Sequence, residues 1–440
     1  MIANQQFDSY PVRGLRNLGN SCYLNSVLQV FTATSGVREH FLFNMEALKA
    51  IKAAQNAGKG EEVALTLSMR QLIAQMHAHG KAEEAVHPVH VLKAVSRRHD
   101  IYGRRAEQDS HEVLRQLLEG LRDEMEKAAK AASREQADED KKEKTLIDDL
   151  FCGDVRSSIV CLNCGAVSCS NEPFLDMSLP IPRTKTAAGS WAAAVGGSGD
   201  ASSSSNGADI AGVVAAADAN GEDGSGTAAP LEAIGSAIAA SDVLSKLPAE
   251  LTSAHEQKRL TGCLQAFAAP EILQGENAYV CDECLKAARA RAAKVGEEPP
   301  AADKVRQPAV RWLQIMRVPR VLTLHLKRFR AMGRRVHKLD EHVPFPARLD
   351  LSAFTCAAGD PVKHFSQLDG SGGSAAAAAA GGMMRLYGVI EHEGSFSGGH
   401  YIAYVRLAEQ WYRMSDSQVT RVDEEAVLRK QAFMLFYERE

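Results

Sequence analysis

The sequence predicts an α+β fold, because helical patterns occupy residues 11–130 while strand patterns concentrate beyond residue 384. In LNSVLQVF, residues 24–31, the apolar side chains fall on one face of a helix that Asn20 or Ser21 could cap. The C-terminal segments RLYGVIEHEG, HYIAYVRL, QWYRMSD and AFMLFYER are apolar or alternating and lie close together in the chain. Closely spaced strands of this kind indicate an antiparallel sheet.

Two further helices and several strands complete the expected elements. Helical spacing predicts one helix from Val63 to Met76 and another after Asp109. The latter continues into a charged stretch, residues 124–144, which favours a solvated helix or a linker. Short strands are expected within residues 151–182, and the β-branched segment RVLTLHLKRF predicts a central strand.

Composition divides the chain into globular and low-complexity stretches. Residues 183–259 are rich in Ala, Gly and Ser and cannot bury enough apolar surface to offset chain entropy, so we expect them to be disordered. A second low-complexity insertion is expected at residues 357–383, and residues 287–303 resemble a linker. The other units are an N-terminal tail, a helical region, two segments with Cys-x-x-Cys pairs and a β-rich region: residues 1–10, 11–150, 151–182 with 260–300, and 301–440.

Charge and hydropathy argue against a nucleic-acid partner, a membrane span and a secretory signal. The net charge of −4 gives no argument for a nucleic-acid partner, because proteins that bind nucleic acids are usually strongly basic. No run reaches about 18 apolar residues, so we expect no membrane span within the chain. The N-terminal residues lack the basic start and apolar run of a secretory signal. There are nine cysteines, an odd number, and four of them form two Cys-x-x-Cys pairs, a pattern that in a reducing compartment favours metal binding or catalysis over disulfides. We expect a cytoplasmic monomer.

A cysteine near the N-terminus is the first candidate for chemistry. Cys22 follows a loop rich in Gly and Asn and stands at a predicted helix start, where unpaired N–H groups and the helix dipole favour a thiolate. A free thiol has a pKa of about 8.5, so little thiolate exists at pH 7 without stabilisation. A histidine partner would stabilise the thiolate in addition to the helix end. Asn17 could donate an amide N–H to a developing oxyanion. The alternative is that Cys22 is a small buried core residue.

A histidine and a polar pair near the C-terminus are the next candidates. His400 follows Gly398 and Gly399, which would let an extended peptide approach closely, and it precedes a strand. An imidazole there can take a proton from a thiol and return it to a leaving amine. Ser415 or Asp416 could accept a hydrogen bond from the far nitrogen of the imidazole. Alternatively, this pair forms a turn in which the carboxylate bonds local backbone.

Two Cys-x-x-Cys pairs form a candidate metal site. Cys161 and Cys164 form one pair and Cys281 and Cys284 the other, and four thiolates are the ligand set of a tetrahedral structural zinc ion. The pairs are much farther apart than in an ordinary zinc ribbon, although a long intervening loop adds little closure entropy. We therefore expect one zinc ion, with free buried thiols or a lost metal site as the alternatives. The remaining cysteines are expected to be core residues: Cys152, Cys169, Cys263 and Cys356.

These motifs, in this order, resemble those of the ubiquitin-specific protease family. GLRNLGNSCYLNSVLQ, residues 14–29, is similar to the cysteine box of that family. EQDSHE, residues 107–112, is similar to its QD-x-HE segment, and GGHYIAYVR, residues 398–406, to its histidine box. LKRF, residues 326–329, and the paired Cys-x-x-Cys motifs also match family signatures. The resemblance covers nearly the whole chain apart from the insertions.

The resemblance implies a deubiquitinating cysteine protease with a papain-like fold shaped as a right hand. A helical thumb, zinc-bearing fingers and an antiparallel β palm would correspond to the helical region, the Cys-x-x-Cys segments and the β-rich region. Cys22 would be the nucleophile, His400 the general base and Asn17 the oxyanion-hole residue. Ubiquitin would be the partner, with its C-terminal tail passing between Cys22 and His400. The residues expected to contact that tail are Gln108, Asp109, Gly398, Gly399 and Tyr401.

One departure from the family pattern bears on the subfamily and on the activity. The family usually has Asn or Asp as the third triad residue, where this sequence has Ser415, followed by Asp416. Together with KLDEHVPF and FMLFYER, this serine is similar to a mitochondrial outer-membrane subfamily that has an N-terminal anchor and opposes mitophagy. Serine is a weaker imidazolium partner than a carboxylate. Two alternatives therefore stay open: a catalytically weak or inactive ubiquitin-binding scaffold, and a protease for a ubiquitin-like modifier.

Overall fold

The structure, a computed structural model, describes residues 12–45, 49, 64–78, 84–104, 106–132, 144–182, 259–332, 335–355, 382–395 and 398–440. The N-terminal tail therefore lies outside the described residues. So do nearly all of the two low-complexity stretches expected at residues 183–259 and 357–383. Within the described residues, no helix is both long enough and apolar enough to cross a membrane.

Helices form most of the N-terminal part of the described chain. The α-helices are α1 (Cys22–Ala33), α2 (Ser35–Phe43), α3 (Ala64–Met76), α4 (Val89–Arg98), α5 (Ser110–Ala132), α6 (Leu146–Phe151), α7 (Leu260–Ala268), α8 (Asp282–Val295) and α9 (Glu424–Leu428). Short 3₁₀ helices lie at Asp100–Arg104, Gly275–Asn277, Ala302–Lys304 and Ser352–Phe354. The three helices predicted in residues 11–130 are confirmed as α1, α3 and α5.

The first helix, α1, is buried on every side, because it lies between the other helices and a large sheet. Each of its residues is buried, including the polar Asn25, Ser26 and Gln29. A helix in such a position belongs to the centre of a core rather than to its surface. Ser21 occupies the predicted N-cap position but makes no side-chain bond to the helix, and its Oγ accepts from the backbone N–H of Leu18 instead.

Helices α3 and α5 pack against each other through a buried carboxylate. Glu124, on α5, is 4% exposed. It accepts hydrogen bonds from the backbone N–H groups of Leu65 and Thr66 at 3.2 and 2.8 Å. These amides belong to the first turn of α3, which has no helical partner for them, so Glu124 satisfies donors that would otherwise be left unpaired.

An eight-stranded sheet contains seven strands of the β-rich region and one strand from residues 151–182. Its strand order is β15-β14-β13-β12-β16-β8-β3, and β11 also pairs with β12. The strands are β3 (Met177–Leu179), β8 (Val321–Leu326), β11 (Arg348–Asp350), β12 (Met383–Ser395), β13 (Gly398–Leu407), β14 (Gln410–Ser415), β15 (Gln418–Val422) and β16 (Ala432–Arg439). All pairs are antiparallel except β3 with β8, which confirms the antiparallel sheet predicted for the C-terminal segments.

Both faces of the central strands of this sheet are covered, so these strands alternate between two cores. On β16, Met434 and Phe436 face the helices, whereas Leu435 and Tyr437 face the opposite core, which includes α7. A strand buried on both faces needs apolar residues at nearly every position. This requirement explains why AFMLFYER is almost continuously apolar.

A smaller four-stranded sheet supports the Cys-x-x-Cys pairs, and its order is β2-β1-β7-β4. Its strands are β1 (Gly153–Cys161), β2 (Val167–Phe174), β4 (Glu271–Leu273) and β7 (Ala309–Arg317). Two short pairs complete the fold: β5 (Tyr279–Val280) with β6 (Arg306–Gln307), and β9 (Phe329–Met332) with β10 (Arg335–Lys338). Cys161 ends β1, and Cys281 immediately precedes α8.

The prediction of a linker at residues 287–303 is wrong in its first part. Helix α8 continues to Val295 and ends at Gly296, which has a left-handed backbone with a φ of 73°. Alanine and arginine dominate this stretch and are good helix formers, and Leu285 and Ala292 bury one side of the helix. Composition alone suggested a linker because few large apolar residues are present.

Candidate active site and cysteine cluster

Cys22 is the first residue of α1 and follows a loop that is held by its own side chains. Gly19 and Asn20 have positive φ angles of 101° and 50°, a conformation that glycine and asparagine adopt more readily than other residues. The Oδ1 atom of Asn17 accepts hydrogen bonds from the backbone N–H groups of Gly19 and Ser21 at 2.8 and 3.3 Å. This loop turns the chain into the helix and places Cys22 at its N-terminal end.

Asp416 joins the loop, the helix and the turn between β14 and β15. Its Oδ2 atom accepts from Nδ2 of Asn17 at 2.8 Å, and its Oδ1 atom accepts from Nδ2 of Asn25 at 2.7 Å. Its backbone oxygen accepts from the N–H of Leu15 and from Nε2 of Gln29, both at 2.9 Å. The Asp416 carboxylate therefore binds two side-chain amides. One N–H of Asn17 is directed to Asp416, and the other can serve a second acceptor.

His400 has Ser415 as its partner on the neighbouring strand. The Nε2 atom of the imidazole lies 2.8 Å from Oγ of Ser415, across the pair formed by β13 and β14. Of the two residues that the sequence offered as partners, the structure brings Ser415 to the imidazole and directs the Asp416 carboxylate elsewhere. Because Nε2 bonds the serine, Nδ1 is the nitrogen that could exchange a proton with a thiol.

The thiol of Cys22 lies against β13, one residue beyond His400. The backbone amide of Tyr401 forms a hydrogen bond with the sulfur, so the two motifs meet although they are far apart in sequence. Burial raises the pKa of the Cys22 thiol, the Tyr401 N–H opposes that shift, and the negative charges of Asp416 and Glu107 add to it. The structure thus differs from the expectation of a favoured thiolate, because desolvation outweighs the amide hydrogen bonds.

The two glycines before His400 begin β13 and differ in the space around them. A Cβ on Gly399 would lie 2.3 Å from Nε2 of His392, so this position has no room for a side chain. A Cβ on Gly398 would approach nothing closer than Oε2 of Glu107, at 4.0 Å. The backbone N–H of Gly399 donates to the same Oε2 atom at 3.0 Å. The glycine at 399 is therefore required by packing within the chain.

The other residues expected to contact a substrate tail also connect the helical region to β13. Asp109 caps α5, because its Oδ1 accepts from two backbone N–H groups of that helix, at 2.7 and 3.3 Å. Tyr401 is buried near Ser110, the first residue of the same helix, and burial raises the pKa of its phenol. Gln108 lies half-buried beside Asp109 on the segment that faces β13.

Three residues that the sequence analysis missed contact the site directly. Asn25 and Gln29 lie one turn apart on α1 and both donate to Asp416. Two amides at i and i+4 on an otherwise apolar helix are a signal that could have found them, because a buried polar group needs a partner. For Glu107, nothing in the sequence indicated a contact with the backbone of Gly399.

The two Cys-x-x-Cys pairs converge at the end of the smaller sheet. All four Sγ atoms lie within 4.8 Å of one another. The distance from Cys161 to Cys284 is 3.9 Å, and that from Cys164 to Cys281 is 3.5 Å. Tetrahedral zinc with Zn–S bonds of about 2.3 Å requires sulfur atoms about 3.8 Å apart. The donor set and its spacing therefore fit one zinc ion.

Hydrogen-bond donors around the cluster also suit metal-bound thiolates. The backbone amides of Asn163 and Cys164 bond the sulfur of Cys161, and Nδ2 of Asn163 lies 3.3 Å from the sulfur of Cys284. Such donors stabilise negative charge on sulfur.

The remaining four cysteines were expected to be core residues. Cys152 and Cys263 are buried as expected, whereas Cys169 is exposed on β2, contrary to that expectation. Cys356 lies outside the described residues.

Comparisons with known proteins agree with this arrangement. The sequence model of the family described as "Ubiquitin carboxyl-terminal hydrolase" matches residues 13–437. Ubiquitin carboxyl-terminal hydrolase 2 of Rattus norvegicus is 25% identical over 446 residues, which cover 97% of this chain and 53% of that protein. Ubiquitin carboxyl-terminal hydrolase 21 of Homo sapiens is 25% identical over 461 residues, covering 97% and 61%. The chain thus spans between half and two thirds of the length of these relatives.

A solved structure shows the same fold. The SAGA Ubp8/Sgf11/Sus1/Sgf73 DUB module bound to ubiquitin aldehyde matches with a TM-score of 0.60 and 19% identity, covering 99% of this chain and 70% of that chain. The likeness confirms the predicted mixed α+β fold, that of a ubiquitin-specific protease catalytic domain. Because the family match extends over nearly all of its length, the chain belongs to the ubiquitin carboxyl-terminal hydrolase family.

Proposed function

We propose that the chain is a deubiquitinase that hydrolyses isopeptide or peptide bonds at the C-terminal glycine of ubiquitin. The observation that carries this proposal is the meeting of Cys22 with the strand of His400, through the bond from the Tyr401 amide to the thiol. Family membership supports the same conclusion, and one solved relative in the family is bound to ubiquitin aldehyde. The partners are ubiquitin and proteins conjugated to it.

The proposed reaction is acyl transfer through a thioester. His400 takes the Cys22 proton at Nδ1 while the sulfur attacks the carbonyl carbon of the terminal glycine of ubiquitin. The second N–H of Asn17 stabilises the oxyanion of the tetrahedral intermediate, and the bond from Asp416 fixes the direction of that amide. His400 then protonates the leaving amine, and water attacks the thioester to release ubiquitin and restore the thiol.

Ser415 orients the imidazole in this scheme. Its Oγ lies at hydrogen-bond distance from Nε2 and can accept a hydrogen bond from the N–H at Nε2 when Nδ1 acts as the base. A neutral hydroxyl stabilises the imidazolium less than a carboxylate would. The raised pKa of the Cys22 thiol adds to this cost, so the free enzyme holds a protonated nucleophile and proton transfer accompanies attack.

We further propose that the regions correspond to the thumb, fingers and palm of the right-hand architecture. Residues 11–150 would be the thumb, residues 151–182 and 260–300 the fingers, and residues 301–440 the palm. The four cysteines, Cys161, Cys164, Cys281 and Cys284, would hold one structural zinc ion. That ion would fix the tip of the fingers by joining β1 to the start of α8 and would take no part in the chemistry.

The resemblance also supports proposals for the subfamily and the location of the protein. Ser415 as the imidazole partner favours the mitochondrial outer-membrane subfamily and thus a role that opposes mitophagy. We propose a cytoplasmic location, or the mitochondrial outer membrane if the protein has an N-terminal anchor, and in either case a monomer. Imaging of the tagged gene product distinguishes the two locations, and light scattering of the purified chain measures the oligomeric state.

Labelling with a ubiquitin C-terminal electrophile tests the proposed activity. The zinc-loaded protein should form a covalent adduct one ubiquitin heavier, and Cys22→Ala should form none. Intact-mass measurement identifies the adduct, and the circular dichroism spectrum of the variant shows that it remains folded. Absence of an adduct on a folded, metal-loaded sample would remove the deubiquitinase proposal.

A second candidate function is a ubiquitin-binding scaffold with little or no turnover, which the weak partner Ser415 favours. It predicts measurable ubiquitin affinity without cleavage of a ubiquitin C-terminal amide. A third is a protease for a ubiquitin-like modifier, which a panel of modifier electrophiles distinguishes. Preferential labelling by a modifier other than ubiquitin would establish the third candidate.

A further inference from the structure

Strand β13 has an unpaired edge where it faces the helical region. Among the described residues, strand β14 pairs with β13 only from Ala403 to Leu407. The preceding part of β13, Gly398 to Ile402, is paired with β12 on its other side. Within the described chain this part therefore presents one free strand edge, and that edge lies beside Cys22.

Two amides on this edge point toward the helical region. The N–H of Gly399 donates to Oε2 of Glu107 at 3.0 Å, and the N–H of Tyr401 bonds the sulfur of Cys22. Residues two apart on a strand direct their N–H groups to the same side, so these contacts define one edge. The first amide is bound by a carboxylate, and the second by the nucleophile.

We propose that Glu107 is an autoinhibitory latch, in which its carboxylate covers the Gly399 amide on the free edge of β13 until the substrate tail displaces it. The inference rests on the proposed function, because it requires an extended tail to enter beside Cys22. An extended peptide binds a free strand edge through its backbone hydrogen bonds. A single N–H cannot serve both the carboxylate and a carbonyl of the tail, so the two states exclude each other.

The surroundings of Glu107 suit a group that moves. Glu107 is exposed and lies in residues 106–109, which have no regular secondary structure. Its Oε2 atom is also the nearest group to the position that a Cβ would take on Gly398, at 4.0 Å, so the carboxylate lies across the glycines that lead to His400. An exposed side chain can swing into solvent at little cost, whereas β13 is fixed by its pairing with β12.

Displacement of the latch would also affect the nucleophile. The negative charge of Glu107 contributes to the raised pKa of Cys22. A tail that moves this charge away would therefore favour the thiolate at the moment when the scissile carbonyl arrives. Substrate entry and activation of the thiol are coupled in this way.

Two substitutions separate the hydrogen bond from the charge. Glu107→Gln keeps an oxygen that can accept from Gly399 and removes the charge, whereas Glu107→Ala removes both. With the zinc-loaded chain, iodoacetamide measures the reactivity of Cys22 itself, and a ubiquitin C-terminal electrophile measures entry of the tail. Alkylation of Cys22 should accelerate about twofold, and equally, in both variants. Labelling by the ubiquitin electrophile should accelerate about fivefold more in Glu107→Ala than in Glu107→Gln.

Equal labelling of the two variants by the ubiquitin electrophile would overturn the latch, because only charge would then matter. Slower labelling of Glu107→Ala than of the unaltered protein would overturn it too, since Glu107 would then assist binding. These results are distinct from failure of the proposed function, in which the unaltered protein gives no ubiquitin adduct although iodoacetamide still reacts at Cys22. In that case the latch fails together with the function on which it rests.

Discussion

The site of Cys22 and the four-cysteine cluster place the same side chain in two different environments. Cys22 lies at a helix start with the Tyr401 amide at its sulfur, the negative charges of two carboxylates raise its pKa, and His400 lies on the adjoining strand. The cysteines of the cluster have other sulfur atoms as neighbours, all within 4.8 Å, with amide donors around them. The Cys22 site combines an imidazole that can accept a proton with a free strand edge. The four-cysteine cluster instead offers four sulfur atoms that can bind one metal ion.

The comparison shows that the environment of a cysteine, rather than the residue type, decides whether its sulfur is suited to act as a nucleophile or as a metal ligand. A thiol near an imidazole can give up its proton and form a thioester with an acyl group. Four thiols that converge can share a metal ion and join two segments, but they leave no open position for a substrate. Removing one sulfur from each site should therefore affect different properties of the protein.

The largest expected effect comes from removing the thiol group of one cysteine in each site by substitution with alanine. Cys22→Ala should lower kcat/KM on a ubiquitin C-terminal amide by about 10⁴-fold or more, because the nucleophile is lost. Its stability should change by only about 1 kcal/mol. Cys281→Ala should lower the midpoint of thermal unfolding by about 5 °C or more, because the proposed zinc ion would lose one of its four ligands and would no longer hold the two segments together. Kinetics, thermal unfolding and zinc content by mass spectrometry measure these changes.

Cys169→Ala provides the matched control, because this cysteine is exposed and lies outside both sites. It should leave turnover, unfolding midpoint and zinc content unchanged. If Cys22→Ala lowered the unfolding midpoint as much as Cys281→Ala and kept its turnover, the division of roles between the two sites would be wrong.

The next largest effect is expected at Asp416, whose carboxylate accepts from Asn17 and Asn25. In Asp416→Asn the new amide offers an oxygen to only one of them and turns its own N–H donors toward the other, so one of the two hydrogen bonds is lost. We expect kcat/KM to fall about 10²-fold, because Asn17 loses its orientation. Alkylation of Cys22 should become faster, because the negative charge of Asp416 raises the pKa of that thiol. Slower turnover together with faster alkylation would indicate that Asp416 orients Asn17. A general loss of structure would lower turnover without requiring this opposite change in alkylation.

A smaller effect is expected at Ser415. Ser415→Ala removes the partner of His400 Nε2, a hydrogen bond worth about 1 kcal/mol, and should lower kcat/KM about fivefold to tenfold. Ser415→Thr keeps the hydroxyl and should retain most of the activity. An alanine variant as active as the unaltered protein would show that the imidazole needs no partner at this position.

Local patterns predicted the elements well, because helices and strands repeat their apolar residues at fixed periods. The periodic residues of α5 and the alternation on the C-terminal strands follow directly from burial on one or two faces. Helix α8 was missed because its buried surface is small and Ala-rich. The high helical propensity of its alanine and arginine residues indicated its structure better than its lack of large apolar residues did.

The sequence was less informative about which of two neighbours contacts which partner. It offered Ser415 and Asp416 as equivalent partners for His400, and the backbone decides between them. Asp416 stands at a φ of 51° in the turn, which directs its carboxylate toward Asn17 and Asn25. Such a choice depends on long-range packing of α1 against the sheet, which no local pattern encodes.

The smallest effect we expect is the pH dependence of the two kinds of cysteine in the free protein. Thiolate is the species that iodoacetamide alkylates, so a raised pKa lowers the reactive fraction at a given pH. Burial raises the pKa of the Cys22 thiol above that of a free thiol, and its alkylation rate should therefore still increase above about pH 8.5. Peptide mapping at each pH measures this rate, with exposed Cys169 as the internal reference. A rate that levelled off below pH 8 would mean that His400 already holds the Cys22 proton without substrate, and desolvation would then not be the dominant influence on the nucleophile.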